Sequence, residues 1–304
     1  MNLRHLEIFR RVAEAGGIRA AARGAALTQP AMTHAIRELE RSVGASLFVR
    51  SARGVVPTEI GEALLRRAAV LFDEVRRTED EIAQLRDGGG HLRAAFGSLA
   101  AARLLPGALL AFRRRCPNVA LELTEITSLG AAAVRPGHDL AVLSELEGAV
   151  AQEDGLQREV LLQAPLAVIA RAGHPMARVR TIGRLGEMLW ALPAYGVQVL
   201  QEAGLAAPRN IIVCQSAQLG FSLVRNADAL TLAAASLVED SVAARGLVRL
   251  RLAEPLPRVQ VSVRLHAWSR LTPAARIFVE CLREAAAARQ DSFLAKLDSP
   301  AKGK

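Results

Sequence analysis

Side chains that can hydrogen-bond to the edges of base pairs cluster between residues 28 and 37 of this chain. Carboxamide, hydroxyl and guanidinium groups read the donors and acceptors in the major groove of duplex DNA, and they also bind phosphates. The spacing places most of these groups within about three turns of one predicted helix. The candidate contacts to nucleic acid are Arg19, Thr28, Gln29, Pro30, Thr33, His34 and Arg37.

The helix that carries most of these side chains is predicted to begin at Thr28. A threonine hydroxyl can accept a hydrogen bond from an unpaired backbone N–H of the first turn. Pro30 lies just inside the helix start, where its missing N–H costs nothing. Apolar residues then recur at helical spacing, which predicts one buried face. That face consists of Ala31, Ala35, Ile36, Leu39 and Val43.

Two further helices are predicted upstream, and they would support the first. Ala20, Ala21 and Ala22 are small enough to let two helices cross closely. A second amphipathic helix, with Leu3, Leu6, Phe9, Val12 and Ala13 on its apolar face, could cover them. This arrangement is typical of a helix-turn-helix, whose second helix enters the major groove. An ordinary surface segment of three helices is the alternative interpretation.

A short basic hairpin is predicted over residues 50–56. Gly54 is expected to supply its turn, with Arg50 and Arg53 close to it. Guanidinium groups there can bind the phosphate backbone, which fixes the position of a protein on DNA without reading sequence. The pattern is typical of the wing of a winged helix-turn-helix, and a solvated basic loop is the alternative for each arginine.

A long helix is predicted after Pro57, with Thr58 as its N-cap. Its apolar positions are spaced alternately by four and three residues, the heptad pattern of helices that pair. The helix would be roughly 40 Å long at 1.5 Å per residue. We expect a helix from a second subunit to cover this stripe, and packing on its own domain is the alternative. The predicted dimerisation residues are Leu64, Ala68, Leu71, Val75, Ile82 and Leu85, with the polar Thr78 among them.

Residues 17 to 50 resemble the helix-turn-helix of the LysR-type transcriptional regulators. The matching positions are Gly17-Ile18-Arg19-Ala20-Ala21-Ala22, Leu27, Thr28-Gln29-Pro30-Ala31-Met32-Thr33-His34-Ala35-Ile36-Arg37-Glu38-Leu39-Glu40, Gly44, Leu47-Phe48 and Arg50. The family usually has serine where Gly17 lies, and glycine is still a tolerable N-cap. The resemblance implies a sequence-specific regulator that binds double-stranded DNA as a homodimer or a dimer of dimers. It also implies control by a small-molecule effector, and RNA polymerase is a further expected partner.

The distribution of charge agrees with binding to an anionic partner. The 304 residues carry a net charge of +9, and the pI is about 10.7. Residues 1–58 hold nine arginines against four glutamates, a net of +5, whereas residues 59–87 hold five arginines against eight acids, a net of −3. Positive charge is therefore concentrated around the predicted helix-turn-helix, as expected of a duplex-binding module. Genome composition is an alternative cause of the overall arginine bias.

Several other classes of protein are disfavoured. Cys116, Cys214 and Cys281 are far apart and odd in number, so they predict neither a metal site nor a disulfide framework, and they suit a reducing cytoplasm. Apolar runs are too short to span a membrane, and the N-terminus lacks a signal-peptide core. Nucleophile-elbow, zinc-protease and phosphate-loop motifs are missing. We therefore expect no enzyme, no cofactor and no membrane partner.

Strand and helix patterns alternate after Gly88-Gly89-Gly90, a run that ends the long helix and is expected to act as a hinge. Alternation predicts an α/β fold with mainly parallel sheets. The resemblance implies two lobes like those of periplasmic binding proteins, with a ligand cleft between them and chain crossings near 162–165 and 265–268. The expected domains are 1–58 (winged helix-turn-helix), 59–87 (linker helix), 88–90 (hinge) and 91–290 (effector-binding). Lobe 1 would span about 91–162 and 268–290, lobe 2 about 163–267, and a disordered tail 291–304.

Candidate effector contacts are chosen for their places after predicted strands, because ligands of open α/β sheets bind outside the carboxyl ends of the strands. The net charge of +7 over residues 88–304, from 25 basic and 18 acidic residues, favours an anionic effector. Several of the hydroxyls could equally serve as helix caps only. The candidates are Ser98, Leu99, Thr127, Ser128, His138, Tyr195, Ser216 and Gln218.

Two other functions compete with a ligand-controlled regulator. One is a small-molecule binding protein or enzyme that uses its N-terminal helices only for oligomerisation. The other is an architectural DNA-binding protein without an effector. Salt dependence of DNA binding tests the first, and stabilisation by metabolites tests the second.

Overall fold

The computed structural model describes residues 1–23, 27–51, 54–126, 137–148, 156–239 and 245–297. The chain divides into two compact units, Met1–Thr78 and Glu79–Lys304. We call the first the head unit and the second the main unit. The boundary falls inside one long helix and not at the glycine run 88–90.

The head unit contains three short helices, a hairpin and the first part of a long helix. Asn2 caps the first helix, since its side chain accepts a hydrogen bond from the N–H of Arg4 at 2.8 Å. The elements are α1 (Leu3–Glu14), α2 (Ile18–Arg23), α3 (Gln29–Val43), β1 (Phe48–Ser51), β2 (Gly54–Pro57) and α4 (Glu59–Asp87).

One hydrophobic core joins these helices. Leu6, Phe9 and Val12 of α1 are at most 1% exposed, as the predicted amphipathic pattern requires. The buried face of α3 differs from the prediction by one residue. Met32 is fully buried and Ala31 is exposed, because Ala31 belongs to the first turn, where the cap turns the helix start outward.

The hairpin pairs β1 with β2 in antiparallel register, and Arg50 lies opposite Val55. Gly54 opens β2 with φ +126°, and a Cβ there would lie 2.2 Å from the carbonyl oxygen of Gly16. The N–H of Val55 donates to that same oxygen at 3.0 Å. The wing is therefore fastened to the turn between α1 and α2 by a contact that only glycine permits.

The main unit is α/β, as predicted, but its strand pairing is mixed and not mainly parallel. Its strands are β3 (His91–Gly97), β4 (Ala120–Ile126), β5 (Leu140–Leu146), β6 (Gln157–Arg171), β7 (Leu189–Leu192), β8 (Asn210–Val213), β9 (Thr231–Ala234), β10 (Leu247–Arg249) and β11 (Arg258–Leu265). Its further helices are α5 (Ser98–Arg103), α6 (Leu105–Arg115), α7 (Gly196–Glu202), α8 (Ala217–Asn226), α9 (Ala235–Glu239) and α10 (Pro273–Leu297).

Seven of these strands form one sheet with the order β10-β6-β11-β5-β3-β4, and β9 also pairs with β6. β3 is parallel to both β4 and β5. The long strand β6 pairs with β11 up to Pro165 and with β9 from Leu166, so the first crossing between lobes lies close to the predicted 162–165. The second lobe also contains the parallel pair β7 and β8.

Two predicted boundaries differ from the structure. β11 pairs with β5 along its whole length, which places it in lobe 1, so the chain returns before Arg258 and not at 265–268. The helix α10 continues to Leu297, across the first half of the segment expected to be disordered. Residues 298–304 lie outside the described residues. In the described part of the chain, no helix is both long and apolar enough to cross a membrane.

Candidate DNA-binding surface and effector cavity

The start of α3 displays polar side chains. Thr28 is the N-cap, and its hydroxyl accepts from the N–H of Ala31 at 3.4 Å. Thr28, Gln29 and Pro30 are all exposed. Capping and exposure together leave the first turn of α3 accessible to a ligand.

The other predicted contacts on α3 share its outer surface. Thr33 donates its hydroxyl proton to the carbonyl of Gln29 at 2.9 Å, which leaves its oxygen lone pairs available. The His34 ring lies 3.9 Å from a carboxylate oxygen of Glu38. Arg37 is exposed, as is Arg19 on α2. These groups could bind bases or phosphates without first leaving a buried site.

Of the two wing arginines, the described residues include the backbone of Arg50 and leave out Arg53. The backbone of Arg50 lies in β1. Arg53, which the sequence predicts at the tip of the hairpin, lies outside the described residues. Its expected contact with phosphate therefore stays a prediction.

The predicted dimerisation stripe on α4 divides into two parts. Ala68 is fully buried in the head core, and Leu64 packs against that core. Both residues therefore pack within their own unit, in a core that includes residues of α1 and α3. The remaining positions are exposed, at 43% for Leu71, 38% for Val75, 56% for Ile82 and 73% for Leu85.

A cavity of about 90 Å³ lies in the main unit, at the carboxyl ends of β3 and β4. Four predicted effector residues line it, namely Ser98, Leu99, Tyr195 and Ser216. Much of the remaining wall is apolar, including Leu166, Phe221, Leu232, Leu237 and Val259. The described lining residues carry no charged side chain, and their polar groups are hydroxyls, one carboxamide and one thiol.

Polar groups in the cavity differ in how they are satisfied. Ser216 is the N-cap of α8 and accepts from the N–H of Leu219 at 3.4 Å. The Thr231 hydroxyl donates to the carbonyl of Ala191. The Ser144 hydroxyl is buried and has no hydrogen-bond partner among the described residues. Buried polar atoms are normally paired, so Ser144 favours a ligand with a complementary polar group.

Sequence reasoning missed Ser144, Cys214, Gln215 and Thr231 as lining residues. A lone serine inside the apolar strand β5 was the one available signal for Ser144. Cys214 is 6% exposed, and burial raises the pKa of its thiol. Burial also raises the pKa of Tyr195 to about 12, so this phenol stays protonated and can donate a hydrogen bond at neutral pH.

Two predicted effector residues do not line this cavity, and two lie outside the described residues. His138 precedes β5, at the amino end of a strand parallel to β3, whereas the cavity lies at the carboxyl ends. Gln218 is exposed on α8, and its neighbour Gln215 lines the cavity instead. Thr127 and Ser128 lie outside the described residues, directly after the lining residue Ile126.

Trp190 is fully buried and its indole N–H donates to the carbonyl of Leu185 at 3.0 Å, so it belongs to the core of the main unit. Cys281 is likewise buried in the main core. Among the described residues, no three His, Cys, Asp or Glu side chains are placed to hold a metal ion.

Two family profiles match the chain, one in each part. The profile described as "Bacterial regulatory helix-turn-helix protein, lysR family" matches residues 3–62. The profile described as "LysR substrate binding domain" matches residues 86–287. The N-terminal match describes a DNA-binding module, so the alternative of helices used only for oligomerisation is not favoured.

Curated relatives and solved structures agree with these matches. The SDS degradation transcriptional activation protein of a Pseudomonas species is 31% identical over 265 residues, covering 84% of this chain and 86% of its own. The HTH-type transcriptional regulator GalR of Pseudomonas putida is 28% identical over 293 residues, covering 92% of this chain and 73% of its own. The crystal structure of full-length CbnR complexed with target DNA covers 94% of this chain and 100% of its own, with a TM-score of 0.51 and 24% identity, which shows a shared fold.

The profile matches together span most of the chain, and the relatives that it resembles are transcriptional regulators. The chain belongs to the LysR family of transcriptional regulators: it is a DNA-binding regulator in which a helix-turn-helix domain precedes an α/β effector-binding domain.

Proposed function

We propose that α3 reads the operator through Gln29, Thr33, His34 and Arg37, while Thr28 and Pro30 set the start of the helix against the backbone. Arg19, Arg50 and Arg53 would bind phosphates on either side. The observation that carries this proposal is the capped and exposed first turn of α3, within a head of net positive charge. In this class of motif, the N-terminal residues of the second helix contact base edges.

Salt dependence tests the surface as a whole. The logarithm of affinity for a duplex taken from upstream of the protein's own gene should fall linearly with the logarithm of salt concentration. Several phosphate contacts predict a steep slope, close to one per contact. A flat dependence would reject a duplex-binding head, and equal affinity for unrelated duplexes would reduce it to an architectural role.

We also propose that two chains pair through the exposed stripe of α4, formed by Leu71, Val75, Ile82 and Leu85. Large apolar side chains at this exposure are costly in water unless a partner covers them. The oligomer would be a dimer or a dimer of dimers. Val75→Asp should shift the mass measured by light scattering toward the monomer, whereas Glu74→Asp on the same turn should not.

For the effector, we propose a small metabolite held between Ser98 and Leu99 on one lobe and Tyr195 and Ser216 on the other. Thr127 and Ser128 are expected to join them. An anionic group would be received by hydroxyls and by the N–H groups at the start of α8. A cavity of about 90 Å³ is smaller than the roughly 150 Å³ that admits benzene, so binding would open or reshape the cleft and could thereby control the head.

A thermal-shift screen tests this site. A carboxylate metabolite and its uncharged amide should be compared at equal concentration, because a ligand of the native state raises stability by mass action. Stabilisation by the acid alone supports the anionic effector, and stabilisation by the amide alone rejects it. Ser216→Ala should weaken the response to the ligand.

We also propose where the protein acts and how its segments divide the work. The protein would act in the cytoplasm, without catalytic activity, and contact RNA polymerase at its promoter. Residues 1–58 would bind DNA, 59–87 would form the linker helix and 91–290 would bind the effector. Purified protein pulling down RNA polymerase only in the presence of operator DNA would support the contact.

A further inference from the structure

The last turns of α4 make contacts that the linker role does not require. Asp80 is 6% exposed, so its carboxylate is almost fully withdrawn from water. One oxygen accepts from the backbone N–H of His91 at 2.9 Å and lies 3.1 Å from the ring Nδ1 of the same residue. The other oxygen accepts from the Arg93 guanidinium at 3.2 Å. A buried carboxylate held by several donors at the start of β3 is an anchor, since removing its partners would leave a charge unpaired.

One turn later, Gln84 makes a second set of contacts. Its carboxamide oxygen accepts from the N–H of Ala274 at 3.0 Å, in the first turn of α10, where helical N–H groups lack internal partners. Its carboxamide nitrogen donates to the carbonyl of His91 at 3.4 Å. We call the contacts of Asp80 and Gln84 with β3 and α10 the latch.

The glycine run is folded tightly against the same turns. Gly90 has φ +80°, and a Cβ there would lie 2.9 Å from the carbonyl oxygen of Asp80. The N–H of Gly89 donates to the Asp87 carboxylate at 3.0 Å, and the N–H of Ala120 donates to the carbonyl of Gly90 at 2.9 Å. Hydrogen bonds on both sides of the run oppose free rotation there, which is unlike the expected hinge.

Of the two elements that receive the latch, β3 leads to the effector cavity and α10 packs against β3. β3 begins at His91 and ends at Gly97, which lines the cavity together with Ser98. Seven residues of strand span roughly 23 Å at about 3.3 Å each. The rings of Phe96 and Phe278 pack edge to face with centroids 6.2 Å apart, so β3 and α10 share one core. A displacement at the cavity therefore reaches α4 through regular, packed structure.

We propose that Asp80 and Gln84 are positioning residues that fasten residues 79–87 of the linker helix to the effector-binding domain. The pivot between the two parts of the protein then lies near Thr78, inside α4, and not at the glycines. Thr78 donates its hydroxyl to the carbonyl of Glu74 at 2.8 Å, a side-chain bond that bends helices. The boundary between the head unit and the main unit also lies between Thr78 and Glu79. Transmission of an effector signal through the latch rests on the proposed function, whereas the latch itself does not.

Hydrogen exchange on the full-length protein, read by mass spectrometry, tests the latch without an effector or operator. In Gln84→Ala and Asp80→Ala, amides of residues 79–87 should exchange roughly tenfold faster or more. The first variant loses the bond to the buried Ala274, and the second loses the bonds of a buried carboxylate. Exchange over 59–77 should stay unchanged. Glu81→Ala is the matched control, since Glu81 is exposed on the same turns. Gln84→Ala keeps every charge and serves if Asp80→Ala fails to fold.

The reciprocal variant sharpens the result. Leu64→Ala removes a side chain packed against the head core, so it should speed exchange over 59–77 and spare 79–87. Unchanged exchange of 79–87 in both latch variants would overturn the proposal, as would an equal rise over 59–77 and 79–87. Loss of salt-dependent DNA binding would instead reject the proposed function, so the two failures are distinguishable.

Discussion

The reading surface of the head and the effector cavity are built in opposite ways. The surface comes from one helix, and its side chains are exposed and include a cation in Arg37. The cavity is lined by residues from several strands and helices, and its described lining is uncharged. An anionic duplex is a large partner that remains hydrated, so exposed charges suit it. A small ligand loses its water on binding, so apolar walls with a few hydroxyls suit it.

The largest expected effect lies on the head. Each good contact to a base edge contributes about 1–3 kcal/mol, so Gln29→Ala combined with Arg37→Ala should weaken operator binding by roughly 100-fold or more. Gel-shift titration measures it. Arg41→Ala is the matched control, because Arg41 is exposed near the other end of α3 and paired with Glu38. Equal losses for Arg37→Ala and Arg41→Ala would mean that only net charge matters.

Replacing the wing glycine should lower the stability of the head unit. Gly54→Ala places a Cβ against the Gly16 carbonyl and forces a positive φ, which should destabilise the head by about 2–4 kcal/mol. Gly44→Ala also has a positive φ but meets no atom within 4 Å, so a loss of about 1–2 kcal/mol is expected. Both tryptophans, Trp190 and Trp268, lie in the main unit. Urea unfolding should therefore shift in circular dichroism and not in tryptophan fluorescence.

The titration of a tyrosine reports on the cavity alone, because the head unit contains no tyrosine. Tyr195 is the one tyrosine of the chain, and burial raises its pKa to about 12. In the unfolded chain, Tyr195 loses its proton near the ordinary pKa of tyrosine. The contribution of the protonated phenol to folding stability is therefore complete below that pH and is lost as the pH rises towards 12. The loss would reach about 2–3 kcal/mol. Ultraviolet absorbance of the phenolate follows the titration, and Tyr195→Phe should abolish this part of the pH dependence. A midpoint near 10 would place the phenol in water.

The smallest expected effect is the change in stability when a buried hydroxyl without a partner is removed. It is compared with the removal of a hydroxyl that is hydrogen-bonded within the fold. Ser144→Ala removes an unpaired buried hydroxyl, so stability should change by less than about 0.5 kcal/mol or rise. Ser262→Ala breaks a bond to the Glu145 carboxylate at 3.3 Å and should cost about 1–3 kcal/mol. Thermal unfolding measures both. A large loss for Ser144→Ala would show that its hydroxyl supports the fold.

The contrast also explains what the sequence could predict. The head was predictable because its signals are local: the cap at Thr28, the period of α3 and the glycine of the wing lie within a few turns of one another. The cavity was predictable only in part. Ser98 and Ser216 follow strands, which is a local rule, whereas Ser144 and Thr231 face the cavity through pairing of strands distant in sequence. His138 does not line the cavity, and the sequence could not show this, because an apolar strand has the same composition at both ends and only sheet direction distinguishes them.

The continuous strand β6 limits what an effector can do. Its first part pairs with β11 and its last part with β9 and β10, so one hydrogen-bonded sheet passes through both lobes. Full separation of the lobes would break the hydrogen bonds that pair β6 with β11 and β9. We expect the lobes to move relative to each other by a twist of β6 near Pro165 and Leu166, which reshapes the cleft and keeps the strand pairing. We expect an effector to act by changing this twist, without breaking the pairing of β6 with β11 or β9.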